Sequence, residues 1–418
     1  MSFVLDRKNY IAVVVIGYLI RGMIYHFFPL INEILLWITI LWPLLILGND
    51  IRNRRWKPDR FQLPLCLFLL AALVSTVVNL RFYIDPNIIE PIDAIYSIVQ
   101  GVALVLILLP YAKEEQSETT LTHLFRIIWS YVVLLAAGSI ALLICYKLNI
   151  SLPGGLSDAD HIFTYGHMGE ETRFCGLFGY STDGGNLCAM AAVLTLYLYQ
   201  HKQLPRVISV IGLFLLMYTI YLLDVRTSMV ELLAVGIVIA FLWLKKRFGT
   251  WKTIVVIALV LGIGIVGLLV LKQDAIQGYL AMYREDPRKT VIFLTTGRSE
   301  YWEYAWNGFL ARPLLGWGWL NNSAIGYFDN HNLFFNLLYW TGGIGTLSVL
   351  WFTVLVIREC FQGALNGRYS LGLIILAIGV QSMLDRAILG TAHTAVETMV
   401  FWLVLGLLIY GGEKKRSG

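Results

Sequence analysis

The chain has 418 residues, 58% of them apolar and only 14% charged, with a mean hydropathy of +0.69 and a formal net charge of +5. Soluble domains carry roughly a quarter charged residues, so the apolar surplus excludes an ordinary water-soluble fold and points to a helical membrane protein. The basic residues are spread over short segments and form no patch, which argues against nucleic acid as a partner.

A membrane-crossing helix needs about 20 largely apolar residues. In chain order such stretches fall at roughly 10–29, 30–47, 62–79, 93–111, 125–146, 184–200, 206–223, 228–244, 253–272, 333–357, 370–390 and 394–411. They predict an all-α polytopic protein of about 12 spans, with residues 1–418 forming a single membrane domain. The first stretch is followed by many others and is read as a span, not a leader peptide. Of the 32 Lys and Arg residues, 20 fall in alternate connections, among them 52–60, 245–252 and 414–416. By the positive-inside rule that side is cytoplasmic, with both termini on it.

Two connections on the opposite side, 147–183 and 273–332, are too long to be simple turns. In the second, Thr295 or Thr296 can cap a helix that begins near Gly297 and stops before Pro313, covering 297–312. Trp302, Ala305, Trp306, Phe309 and Leu310 recur on one face of it, as in an amphipathic helix lying at the outer interface or packed on the bundle. The five cysteines show no CxxC pair and no metal-ligand spacing, so neither a disulfide framework nor a metal site is expected.

Ionisable groups at mid-membrane cost about 2.5–3.5 kcal/mol each, so they need a partner or a use. Arg173 opens a glycine-rich stretch before the sixth span, where Asn186 is expected to start the helix; pairing with Glu170 or Glu171 is the plainer reading. Arg226 sits beside Asp224 in a turn of a few residues. An exposed pair worth about 1 kcal/mol or less hardly accounts for a charge so near hydrocarbon, and Arg suits bidentate capture of phosphate oxygens. Arg298, at the start of the predicted helix, opposes the helix dipole, and a bound anion would reverse that penalty. His331 follows Asp329 and Asn330 and precedes Asn332. A carboxylate beside it could orient the ring as a base, whereas an interfacial histidine held by a backbone carbonyl is the alternative. Arg386, beside Asp385 in the eleventh span, and Arg21 rank below these.

No P-loop, metal-ligand spacing or Gly-x-Ser-x-Gly is present, so the residues suggest chemistry on an anionic lipid-linked substrate without a cofactor. From Gly297 the chain reads Gly-Arg-x3-Trp, then Pro-Leu-Leu-Gly-Trp-Gly from Pro313 to Gly318. His331-Asn332 follows, then nine residues and Gly342-x-x-Gly345. This pattern resembles the O-antigen ligase/polymerase superfamily. Upstream, Arg-x-x-Gly-Leu-Phe from Arg173 and Val-Arg-Thr-Ser from Val225 resemble that superfamily's other arginine motifs.

The resemblance implies a GT-C-like glycosyltransferase of the bacterial inner membrane, independent of metal and nucleotide sugar and active on the outer face. It implies a donor glycan on undecaprenyl diphosphate, membrane lipid as surroundings, and the flippase and chain-length regulator of polysaccharide export as partners. His331 would take the acceptor hydroxyl proton, while Arg173, Arg226 and Arg298 would hold the diphosphate; Asn332, Asp329 and Arg386 would complete the substrate site. Two reactions share this pattern: a polymerase lengthens a surface polysaccharide such as O-antigen or capsule, and a ligase moves the chain to lipid A-core or another acceptor. The polymerase is preferred because nothing specific to a lipid A-core acceptor is visible. A flippase would be expected to show broken helices or repeats near mid-membrane.

Overall fold

The computed structural model describes residues 6–24, 29–53, 58–82, 91–114, 117–152, 163–165, 172–271, 273–295, 297–321, 331–365, 367–384 and 395–411. Twelve helices fall on the twelve expected stretches. They are α1 (Arg7–Ile24), α2 (Pro29–Arg52), α3 (Gln62–Val78), α4 (Pro91–Ala103) and α5 (Ser117–Lys147). After a hairpin of β1 (Phe163–Tyr165) and β2 (Thr172–Phe174) come α6 (Ser181–Gln200), α7 (Arg206–Leu223), α8 (Arg226–Phe248) and α9 (Thr250–Leu271). The segment 273–332 carries α10 (Gln273–Glu285), α11 (Pro287–Leu294) and α12 (Arg298–Ala311). The last three are α13 (Leu333–Leu365), α14 (Tyr369–Leu384) and α15 (Ala395–Tyr410). α4 runs on through a π-helical stretch, Leu104–Leu108, to Tyr111.

Five helical stretches are long and apolar enough to cross a membrane: Ala94–Tyr111, Ser117–Lys147, Arg206–Leu223, Arg226–Phe248 and Leu333–Ala364. Gln62–Val78, Thr250–Val260, Tyr369–Met383 and Val396–Tyr410 are shorter apolar helices. The protein is therefore a helical membrane protein, to which the sequence adds no hint of the antiparallel hairpin that pairs Phe163 with Phe174 and Thr164 with Arg173.

The core is built on α6 and α15. Residues 188–194 of α6 are all buried, three of them alanines, so neighbouring backbones approach closely. Trp402 and Leu403 of α15, Ile374 and Ile378 of α14, and Phe125 and Ile128 of α5 complete it. Helices α7 to α9 instead expose Val207, Phe214, Tyr221, Leu259 and Ile263. An apolar surface of this extent has no place in water and suits contact with lipid tails.

Chain direction follows from bonds at the two ends of the bundle. At one end Gln200, finishing α6, donates to the Tyr369 hydroxyl at the start of α14. At the same end Arg368 Nη1 donates to Leu407 O of α15 at 3.1 Å. Helix α14 is thus antiparallel to both α6 and α15. The start of α6, the end of α14 and the start of α15 all meet at the opposite end.

Candidate functional site

The site residues occupy that opposite end. Helix α8 joins it through α6: Ser228 Oγ donates to Asn186 Oδ1 at 2.9 Å. Gly185 makes room for this contact, since a Cβ there would stand 2.6 Å from Val225 Cβ. Asn186 was expected to open α6, but the helix begins at Ser181 and Asn186 lies in its second turn, locking the two helices together. Arg226 is the first residue of α8, exposed, after a left-handed Asp224 (φ 49°) that closes α7. Among the described residues no ion pair joins Arg226 to Asp224, so the simple structural reading of that arginine loses its support.

Arg173 reaches the same corner from β2. Its neighbour Phe174 packs with Leu142, Leu223 and Val225 in a small apolar cluster, which leaves Arg173 exposed beside the α7–α8 turn. Alternating strand geometry sends successive side chains to opposite faces, so burial of Phe174 turns Arg173 outward.

His331 and Arg298 form the other half. Arg298 is the first residue of α12, as expected, capped by a left-handed Gly297 (φ 82°). Thr295 contributes from upstream: its Oγ1 accepts from Ser299 N at 3.2 Å. Thr296 lies outside the described residues. Three residues on, Tyr301 shares the face of Arg298 and holds its ring 6.4 Å from that of His331. His331 adopts a left-handed backbone (φ 50°), and its Nδ1 is shielded from solvent. Asn332 has a plain structural task, whatever else it does. Its Oδ1 accepts from Phe334 N and Phe335 N at 3.0 and 3.2 Å, capping α13. Its Nδ2 donates to Met383 O at 2.8 Å, tying the His-Asn pair to the end of α14. Asp329 and Arg386 lie outside the described residues.

The amphipathic face of α12 is turned slightly from expectation. Trp302 stacks on Phe335 at 5.7 Å, Ala305 is fully buried and Trp317 Nε1 donates to Gly308 O at 2.9 Å. Trp306 and Leu310, expected on that face, are exposed. Both earlier alternatives therefore hold a part: one side packs on the bundle and the neighbouring side carries apolar rings outward.

The remaining motif residues are architectural. Helix α13 breaks at Gly342 (φ 60°, ψ −161°), and the Pro313–Gly318 segment fills the break. Gly343 N donates to Pro313 O at 2.7 Å, and Trp317 N and Gly318 N donate to Tyr339 O and Trp340 O at 2.9 and 3.0 Å. The backbone groups freed by the break are thus satisfied by protein, as irregular chain at membrane depth requires. Ser75 and Asn79 of the α3 end donate to Leu315 O and Gly316 O. Arg312 bonds Asn79 Oδ1, its guanidinium lying between the rings of Phe82 and Trp317 at 4.1 and 4.2 Å. The fixed Pro-x-x-Gly-x-Gly and Gly-x-x-Gly spacings position α12 and α13, and with them Arg298 and His331.

Sequence reasoning passed over a layer beneath the arginines. Glu231 in α8 and Glu397 in α15 are buried, as are Gln381 and Ser382 in α14. The signal was available: both glutamates fall inside stretches read as spans. Among the described residues no three His, Cys, Asp or Glu side chains gather to hold a metal ion.

Residues 211–350 match the family described as O-antigen ligase. This third of the chain is similar to that family. The segment runs from within α7 into α13 and includes Arg226, Arg298, His331 and Gly342, whereas Arg173 precedes it. Members of this family are glycosyltransferase-like ligases and polymerases. Among curated proteins no relative matches the chain.

Proposed function

We propose that the protein is a surface-polysaccharide polymerase that transfers a glycan from undecaprenyl diphosphate to a sugar hydroxyl of a lipid-linked repeat unit. The observation that carries this is the gathering, at one end of the bundle, of a histidine and arginines on four separate elements, three of them within the family segment. In this reading about 12 helices cross the bacterial inner membrane, both termini are cytoplasmic, and the arginine end faces outward. The positive-inside count supports that orientation.

The chemistry follows from the residue types. His331 has Nδ1 turned away from solvent, so Nε2 is the nitrogen that accepts the hydroxyl proton. As the hydroxyl oxygen bonds the anomeric carbon, the bond to diphosphate breaks and charge grows on the leaving group. Arg226, Arg298 and Arg173 neutralise it, with the start of α12 adding backbone N–H groups. The arginines supply charge without a metal. Asp329 would orient His331, Asn332 would hold it against α14, and Arg386 would add a cation near the same end. Trp306 and Leu310 would keep α12 at the lipid boundary where the polyprenyl chain enters.

Ligation to lipid A-core or another acceptor is the second reading, favoured by the description of the matched family. A flippase fits less well: although α13 is broken, the break is plugged by the Pro313–Gly318 backbone and lines no open path. Deleting the gene and sizing the surface glycan separates the readings. Loss of a polymerase leaves single repeat units on the surface acceptor. Long chains stranded on the lipid carrier would instead establish the ligase.

A further inference from the structure

A cavity of about 460 Å³ opens at the end of the bundle opposite the arginines, within the range of about 300–1,000 Å³ usual for small-molecule sites. The start of α5, the end of α6, the start of α14 and the end of α15 wall it. Gly367 (φ 78°) and the bond from Arg368 N to Gly363 O at 2.8 Å turn the chain from α13 into α14 and fix where α14 starts.

The first turn of α14 lies along this cavity. The leading N–H groups of a helix have no acceptor within it. Those of Tyr369, Ser370 and Leu371 find none elsewhere among the described residues, and all three residues line the cavity. Ser370 is only 2% exposed, yet its hydroxyl has no hydrogen-bond partner among the described residues either. A buried hydroxyl left unpaired costs stability, so it points to a partner that the chain itself does not supply.

Further donors ring that turn. Arg368, just ahead of α14, is fixed at the cavity wall by the bond from its Nη1 to Leu407 O at 3.1 Å. The Tyr369 hydroxyl accepts from Gln200 Nε2, which leaves its own proton for an acceptor. His201, just past α6, lines the same cavity with its ring against that of Tyr197, centroids 4.3 Å apart. A helix start, a guanidinium and converging hydroxyls suit the oxygens of a phosphate group. Glu118 of α5 is the one carboxylate among the described lining residues. It opposes a bare polyanion and suits a phosphate that carries a hydroxyl or ammonium group of its own.

We propose that this cavity binds a phosphate ester bearing a hydroxyl or amino group, which in the proposed orientation enters from the cytoplasmic side. The phosphate oxygens accept from the first turn of α14, from the Ser370 hydroxyl and from Arg368, while Glu118 accepts from the hydroxyl or ammonium. Two sources share this chemistry: the headgroup of a glycerophospholipid in the adjoining leaflet, and a soluble phosphate ester. The cavity is remote from the arginine face, so the inference does not depend on the transferase reading.

The test uses the full-length protein in a phosphate-free maltoside detergent. It is titrated separately with glycerol 3-phosphate and with dihexanoyl-phosphatidylglycerol, and dihexanoylglycerol serves as the control without phosphate. Native mass spectrometry counts the bound molecules, and melting temperature reports binding because a ligand held between four helices stabilises the folded state. At least one phosphate probe should bind one to one and raise the melting temperature. Binding of glycerol 3-phosphate supports the site with a soluble ester as its ligand; binding of the phospholipid alone supports it with a headgroup. Ser370→Asp places a carboxylate at the second residue of α14, where it takes up the N–H groups and repels phosphate. It should weaken binding at least about tenfold without lowering the melting temperature of the unliganded protein. Should Ser370→Asp fail to fold, His201→Glu, at an exposed position past the end of α6, carries the same expected loss of binding. The site is refuted if neither phosphate probe binds, or if the variant binds them as wild type does. It is equally refuted if the phospholipid alone binds and dihexanoylglycerol binds as tightly.

Discussion

Removal of the His331 imidazole tests the division of labour among the site residues. His331→Ala should lower turnover about 10²–10⁴-fold while donor binding persists, because a base acts on the acceptor and not on the diphosphate. Arg226→Ala and Arg298→Ala should weaken donor binding as well, since each charge-assisted contact contributes roughly 1.5–3 kcal/mol. Lysine at either position keeps the charge without the two-pronged geometry and should restore activity only in part. Binding of a synthetic diphosphate-linked donor, measured beside transfer, distinguishes these outcomes. If His331→Ala abolishes donor binding and leaves the rate per bound donor unchanged, His331 is a ligand and not the base. Much of this site was legible in the residues, because arginines and a histidine beside apolar runs are conspicuous on cost alone. Glu231 was not singled out, since its complete burial is a property of packed helices and not of any run of consecutive residues.

The break in α13 is where an element is most exposed to a single substitution. Gly342 has a backbone conformation that other residues rarely adopt, and an added Cβ would stand 2.5 Å from the Leu314 carbonyl group. Gly342→Ala should therefore destabilise the protein by at least about 1–3 kcal/mol and displace the Pro313–Gly318 plug, with loss of transfer. An unchanged melting temperature in detergent would refute this account of the motif. Asp59 stands just ahead of α3, accepting from Phe61 N and Gln62 N at 2.9 and 3.0 Å, from Lys113 Nζ at 2.9 Å and from the Tyr410 hydroxyl. Burial would push its carboxyl up, but the hydrogen bonds from Tyr410, Lys113 and Gln62 outweigh it and hold it below the ordinary 3.8. A depressed acid stabilises the fold fully above its unfolded value and loses that contribution as pH falls through the folded one. Melting temperature should thus hold above about pH 5 and drop below pH 4, whereas Asp59→Asn should start lower and lose part of that drop.

At the scale of the whole molecule the claim most open to test is orientation. On an otherwise cysteine-free protein, Asn307→Cys should react with an impermeant maleimide from outside intact cells, and Asn53→Cys only after the membrane is opened. Both positions are exposed, so access and not burial governs labelling. Labelling of Asn307→Cys only from the cytoplasm would invert the topology and move the arginine face to the wrong side of the membrane for a polyprenyl-linked donor.

Apolar run length, charge alternation and the spacing of His331-Asn332 before Gly342-x-x-Gly345 were enough to place the twelve helices, the start of α12 and the likeness of residues 211–350 to the O-antigen ligase family. These are local properties, carried by consecutive residues or by a fixed count between them. Tertiary structure alone decided which face of α12 is buried, because the packing of Ala305 and Gly308 depends on where α13 lies. It alone decided the hairpin, whose strands of three residues each are too short to leave a period in the sequence. It also turned the motif glycines into the seat of a plug, and buried Glu231 and Glu397 among the helices. The plug also draws on Ser75, 240 residues from the Leu315 carbonyl it binds, and no local pattern records such a distance.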